Sequence, residues 1–89
     1  MIEKEIVIRN RAGLHTRPAA TLVKLAAKYK SEFTIVKDGL EINAKSIIGV
    51  MTLAAEQGAK LLLRFEGEDE QEACDAVVGL FDRGFDEAL

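Results

Sequence analysis

The spacing of apolar side chains switches back and forth between a period of two and a period of about 3.6 along this chain, and neither pattern can settle into the other's conformation. Ile2, Lys4, Ile6 and Ile8 share one face of an extended segment, with Val7 on the other. Ala19, Leu22, Val23, Ala26 and Ala27 then recur at helical spacing, which predicts a first helix over about 16–28. Phe33 and Ile35 mark a second strand, and Asp38-Gly39 reads as the two-residue turn of a hairpin that returns through Leu40 and Ile42. Ser46 is a good N-cap for a short helix through about Leu53, and Gly58 closes that region. Leu61, Leu63 and Phe65 form a fourth strand ending at Gly67. Asp69 with Glu72 looks like a capping pair ahead of Ala73, Ala76, Val77, Leu80 and Phe81, and Gly84 is the expected stop. The order is β-α-β-β-α-β-α. It predicts an α/β (α+β) fold, an open-faced sandwich in which a four-stranded antiparallel sheet carries three helices on one face and leaves the other in water.

Eighty-nine residues suffice for one domain, here 1–89, with a single core and no need of metal or disulfide. The lone Cys74 has no partner for an internal disulfide. No apolar run approaches the roughly 20 residues that span a bilayer. The segment Met1-Ile2-Glu3-Lys4-Glu5 is too charged for a signal peptide, so the expected location is cytoplasmic without membrane insertion. A net charge of −3 argues against general nucleic-acid binding, but the charge is unevenly spread. Residues 4–30 carry seven basic side chains against Glu5 alone, whereas residues 66–87 carry nine carboxylates against Arg83 alone. A positive region in the first third could steer a negatively charged group or an acidic partner, or it could be an ordinary solvated face.

Gly13-Leu14-His15-Thr16-Arg17-Pro18-Ala19-Ala20 holds the only histidine and the only proline, where an extended segment gives way to a helix. Proline is tolerated in a helix's first turn, where its missing amide hydrogen would have had no partner, so the helix begins at about Thr16. The free amides of that turn carry roughly half a positive charge and can seat an anion. A metal site needs several ligands, and no second histidine or spare cysteine is available. A hydrolytic triad fails because no serine or cysteine sits in a recognisable elbow. What remains is His15 as a nucleophile toward phosphorus. Neutral imidazole is the reactive form, and the helix end and the Arg17 guanidinium are both expected to lower the pKa of the ring. The same groups would then stabilise the dianion of a phosphorylated ring. Ile47, Ile48, Val50, Met51 and Leu53 cover too much of one short helix for all to face a core, so Ile48 and Met51, with Ile47, are expected to form an exposed apolar patch.

GLHTRPAA together with Lys45-Ser46-Ile47-Ile48-Gly49-Val50-Met51 resembles the HPr family, the histidine-containing phosphocarriers of the phosphoenolpyruvate-dependent sugar phosphotransferase system. The resemblance runs over essentially the whole chain. It implies that Enzyme I, phosphorylated by phosphoenolpyruvate, gives its phosphoryl group to His15, which passes it to IIA domains of sugar permeases. It implies further that Thr16, Arg17 and Pro18 frame the phosphohistidine and that Ser46 is the residue modified by HPr kinase/phosphorylase in bacteria that possess it. Ala20, Lys24, Ile47, Ile48, Met51 and Thr52 would form the docking face. A monomeric covalent shuttle without cofactor or metal is implied, not a stand-alone enzyme. Two departures stand out. Ala12 occupies a position where many members carry a polar residue, and Leu80-Phe81-Asp82-Arg83-Gly84-Phe85-Asp86-Glu87 also resembles the ending of the nitrogen-related NPr branch, which regulates and does not transport sugar. A further alternative is a binding module in which His15 and Arg17 recognise an anion without phosphorylation.

Overall fold

Residues 1–89 are described by a computed structural model, and their backbone hydrogen bonds close into one sheet. The strands β1 (Ile2–Val7), β2 (Glu32–Lys37), β3 (Leu40–Asn43) and β4 (Lys60–Glu66) lie in the order β1-β4-β2-β3, every neighbouring pair antiparallel. Helices α1 (Thr16–Ala26), α2 (Ile47–Thr52) and α3 (Glu70–Asp82) cover one face. No helix is long and apolar enough to cross a membrane.

Alternation along the strands decides which face is dry. Ile6, Phe33, Ile35, Leu61, Leu63 and Phe65 all point inward and are buried, and the register sets Phe33 opposite Phe65 and Ile35 opposite Leu63. The two phenyl rings stack with centroids 4.5 Å apart. Leu22 of α1, Val50 of α2 and Val77 and Phe81 of α3 close the core from above. Burying a side chain of this size stabilises by about 1.5–3 kcal/mol, so the two-residue repeat of the strands does most to hold the sheet to the helices. Lys4 occupies an inward register position yet remains exposed, because β1 is an edge strand and its ammonium reaches water beside α3. On the opposite face Arg64 bridges Glu3 at 2.8 Å and Glu41 at 2.6 Å, tying three strands through side chains in water. Exposed pairs of this kind contribute only about 0.2–1 kcal/mol each.

The hairpin follows from Asp38 (φ 50°) and Gly39 (φ 82°), since a two-residue turn matching the twist of its strands needs positive φ at both positions. Helix α1 stops two residues short of the expected Lys28. Ala27 is its C-cap, and the amides of Lys28 and Tyr29 bond three residues back, to Leu25 and Ala26, as a helix does when its last turn tightens.

The start of α3 differs from the expected capping pair. Asp69 is the N-cap residue but its carboxylate makes no cap; it turns outward to accept hydrogen bonds from the amides of Lys30 (2.8 Å) and Ser31 (2.9 Å) and from the Ser31 hydroxyl. The α1–β2 loop has amides left over from the end of α1, and one carboxylate satisfies two of them. The Ser31 hydroxyl first, then the Lys30 amide, hold the Asp69 carboxyl down at about 2. Glu70 closes the helix start instead, accepting from the Gly67 amide at 3.1 Å and lying 3.2 Å from the N-terminal ammonium.

Gly84 does follow α3, but more than a stop occurs there. Gly84, Phe85 and Asp86 all take positive φ (62°, 56° and 58°) in a short 3-10 turn that sends the chain back across the molecule. Left-handed backbone at a phenylalanine costs of order 1–3 kcal/mol, and here Phe85 is buried edge-on against Phe81, centroids 5.0 Å apart, which offsets it. Beyond the turn the Arg11 amide donates to the Ala88 carbonyl at 2.8 Å. The last residues therefore lie against the loop that precedes α1.

Candidate functional site

His15 occupies the N-cap position of α1 with extended backbone (φ −78°, ψ −172°), and its carbonyl accepts from the Ala19 amide at 3.0 Å. Its side chain makes no cap, so the ring is free to point outward, 43 % exposed. Thr16, Arg17 and Pro18 form the first turn. The Thr16 and Arg17 amides have no partner within the chain, and Pro18, which has none to offer, is buried. A shallow cleft before the ring is lined by Arg11, Ala12, His15, Arg17, Asp86 and Glu87.

The loop that presents His15 is held at Gly13. Its φ of +71° is left-handed, and a Cβ there would strike the Ala55 carbonyl oxygen, so only glycine fits without displacement. The Leu14 amide donates to that same carbonyl at 2.9 Å, and the Leu14 side chain is buried. His15 is thus pinned on one side by the core and on the other by its own helix.

Two residues that sequence reasoning missed complete the arrangement. Glu87 Oε1 lies 3.2 Å from His15 Nε2 and also 3.2 Å from Asn10 Nδ2, while Asn10 Nδ2 donates to the Gly13 carbonyl at 2.8 Å. Asn10 is fully buried. His15 Nδ1 has no hydrogen-bond partner within the chain, although Nε2 does. To the helix end and Arg17 the structure adds a group of opposite charge: the Glu87 carboxylate faces Nε2. Of the two readings of the basic first third, a steering field or an ordinary solvated face, the cleft favours neither a purely basic surface nor a neutral one: the tail carries Asp86 and Glu87 in beside Arg11 and Arg17. Ala12 lines that cleft without a polar group, and the polar contact to the ring comes from Glu87.

Helix α2 presents the expected patch. Ile48 is 77 % exposed, with Met51 and Ile47 also in water, whereas Val50 on the opposite side is fully buried. Thr52 and Lys24 are exposed and Ala20 half-buried. Ser46 is the N-cap of α2, its Oγ accepting from the Gly49 amide at 3.3 Å, and it is not part of the His15 cleft.

A histidine with one unengaged ring nitrogen, set beside free helix amides and a guanidinium, combines a nucleophilic lone pair with donors able to seat a tetrahedral anion. Residues 2–83 match the family model described as "PTS HPr component phosphorylation site". The chain belongs to the HPr family. It is 46 % identical over 87 residues to phosphocarrier protein HPr of Xylella fastidiosa strain 9a5c, covering 98 % of each chain. It is 40 % identical over 85 residues to phosphocarrier protein NPr of Proteus mirabilis, with 94 % of each covered. The crystal structure of HPr-C-His from Thermoanaerobacter tengcongensis superposes with a TM-score of 0.96 at 46 % identity over the full length of both chains. The resemblance read from GLHTRPAA and KSIIGVM is thus that of an HPr phosphocarrier of the phosphotransferase system.

Proposed function

We propose that His15 accepts a phosphoryl group from phosphorylated Enzyme I and delivers it to IIA domains, serving sugar uptake and its regulation. The observation that carries this reading is the exposed ring with its Nδ1 unpartnered at the start of α1. The Nδ1 lone pair forms the bond to phosphorus as the donor's bond breaks, the donor keeping that electron pair. The free amides of Thr16 and Arg17 and the Arg17 guanidinium would donate to the phosphoryl oxygens, with Pro18 setting the first turn that directs them. On delivery the acceptor attacks phosphorus and the pair returns to Nδ1. Incubation with Enzyme I and labelled phosphoenolpyruvate tests the reading: acid-labile label on the protein is expected, and its absence would overturn the carrier role in favour of passive anion recognition. Offering the labelled protein to sugar-type and nitrogen-related IIA domains sorts transport from the NPr-type regulatory output, the alternative that the resemblance of residues 80–87 to the NPr ending keeps open.

Docking on Enzyme I and IIA domains is assigned to the exposed faces of α1 and α2, with Ala20, Lys24, Ile47, Ile48, Met51 and Thr52. Ile48 is the natural anchor, being the most exposed of the apolar group. Ile48→Glu is expected to raise the KM for Enzyme I about tenfold, in line with loss of an apolar anchor, while leaving thermal stability within about 0.5 kcal/mol of wild type. An unchanged KM would remove the patch.

Ser46 is proposed as a regulatory phosphorylation site for an HPr kinase/phosphorylase. A phosphate on its Oγ would add roughly −1.5 to −2 charge beside the docking helix and repel an acidic or phosphorylated partner. Purified kinase with labelled ATP should label the wild type and leave Ser46→Ala unlabelled; an unlabelled wild type would exclude the role.

A further inference from the structure

We propose that Glu87, held by Asn10, is a positioning residue for phosphoryl transfer at His15. The inference rests on the carrier reading given above and adds to it two residues far apart in the chain. Glu87 is placed by backbone geometry. The left-handed run at Gly84, Phe85 and Asp86 reverses the chain, buried Phe85 anchors the reversal, and the Arg11–Ala88 hydrogen bond fixes the far side. The Glu87 side chain is only 18 % exposed, so its carboxylate is committed to this place.

Hydrogen-bond chemistry then fixes every orientation in the group. Asn10 Nδ2 faces the Gly13 carbonyl and Glu87 Oε1, both of them acceptors. A flipped amide would turn its oxygen onto two other oxygens, so the nitrogen must point into the site, even though Asn10 Oδ1 is left buried without a partner. An ionised carboxylate has no proton to give. His15 Nε2 must therefore be the donor in its 3.2 Å contact with Glu87, which fixes the tautomer and leaves the lone pair on Nδ1.

This order, amide to carboxylate to imidazole, has a direct consequence for the transfer. When Nδ1 bonds to phosphorus the ring, still carrying its Nε2 proton, becomes cationic. Arg11 and Arg17 face the same cleft and disfavour that charge, while Asp86 and above all Glu87 oppose them. No proton leaves Nε2 in the step. Glu87 compensates a charge that develops during bond formation and holds the ring plane while it does so, as the outer partners of metal-bound histidines do.

The test combines 15N spectra of the His15 ring with rates of phosphorylation by Enzyme I, comparing wild type, Glu87→Ala and Glu87→Gln. The wild type should show a protonated Nε2 whose hydrogen exchanges slowly. Glu87→Ala should lose that protection and phosphorylate about tenfold more slowly at unchanged KM, the size of effect typical when an orienting partner of a histidine is removed. Glu87→Gln retains an accepting oxygen and should restore the ring spectrum, with only part of the rate, because it lacks the charge. A labelled wild type whose ring spectrum and rate are indifferent to Glu87→Ala would overturn this inference alone. A wild type that takes no label would overturn the carrier reading and this inference with it.

Discussion

Replacement of His15 by alanine should reduce phosphate labelling by Enzyme I and phosphoenolpyruvate to background while leaving the fold intact. The two halves of this expectation come from different observations. The imidazole is the one nitrogen nucleophile of the cleft: the other liners are the guanidinium groups of Arg11 and Arg17, the apolar Ala12 and Ala88, and the carboxylates Asp86 and Glu87, whose acyl phosphates would lack the acid lability of a phosphohistidine. Its contribution to stability is small. The ring is exposed, it caps nothing, and its one hydrogen bond within the chain is with Glu87, so deletion should cost within about 1 kcal/mol. A melting temperature within a few degrees of wild type, combined with complete loss of acid-labile label, is the expected pair of results. Equal labelling of His15→Ala would place the phosphoryl group elsewhere. A large fall in melting temperature would show that the ring has a structural role its exposure does not suggest.

The contrast between the core and the cleft explains what could be read from residues alone. Strand periodicity at Phe33, Ile35, Leu61, Leu63 and Phe65, the helical spacing of Ala19, Leu22 and Ala26, and the Asp38-Gly39 turn are local signals, and each recurs in the structure. The exposure of Ile47, Ile48 and Met51 was legible because a six-residue helix cannot turn all four of its apolar side chains, Ile47, Ile48, Val50 and Met51, against one sheet. Asn10 and Glu87 lie 77 positions apart and carry no periodic signal. Only the left-handed run after α3 brings them together, and positive φ at Phe85 and Asp86 is a conformation that sequence disfavours at those residue types. The same limit applies to Asp69. Its place before a helix suggested a cap, but the competing claim of two loop amides on the far side of α1 is a tertiary fact. Charge counted along the chain has the same limit: it separates a basic stretch, 4–30, from an acidic one, 66–87, and only the fold brings Arg11, Arg17, Asp86 and Glu87 to one cleft.

Gly13→Ala should be among the most damaging single-atom changes near the site, and its cost can be separated into two parts. The first is backbone: φ of +71° in an L-residue costs about 1 kcal/mol or more. The second is contact, because the added Cβ meets the Ala55 carbonyl oxygen and the Glu56 Cα, both of them backbone atoms that cannot rotate away. Forcing such an overlap costs typically about 1–3 kcal/mol, for a total of roughly 2–4 kcal/mol. Gly39→Ala supplies the internal comparison. It has a similar φ of +82° but nothing within 4 Å of its Cβ, so it should show the backbone part alone. For a domain of this size each 1 kcal/mol lowers the melting temperature by roughly 4–8 °C, so the contact part alone should separate the two variants by roughly 4–24 °C. The damage should also reach function. Relief of the overlap must move Gly13 away from Ala55, which strains the Leu14–Ala55 hydrogen bond and the Asn10 contact to the Gly13 carbonyl, the two ties that set His15 against Glu87. Phosphorylation of folded Gly13→Ala, measured well below its melting temperature, should accordingly be slower than that of Gly39→Ala, which leaves the cleft untouched. Equal melting temperatures for the two variants would show that the loop yields freely at Ala55, and the pinning of His15 by the core would then have to be abandoned.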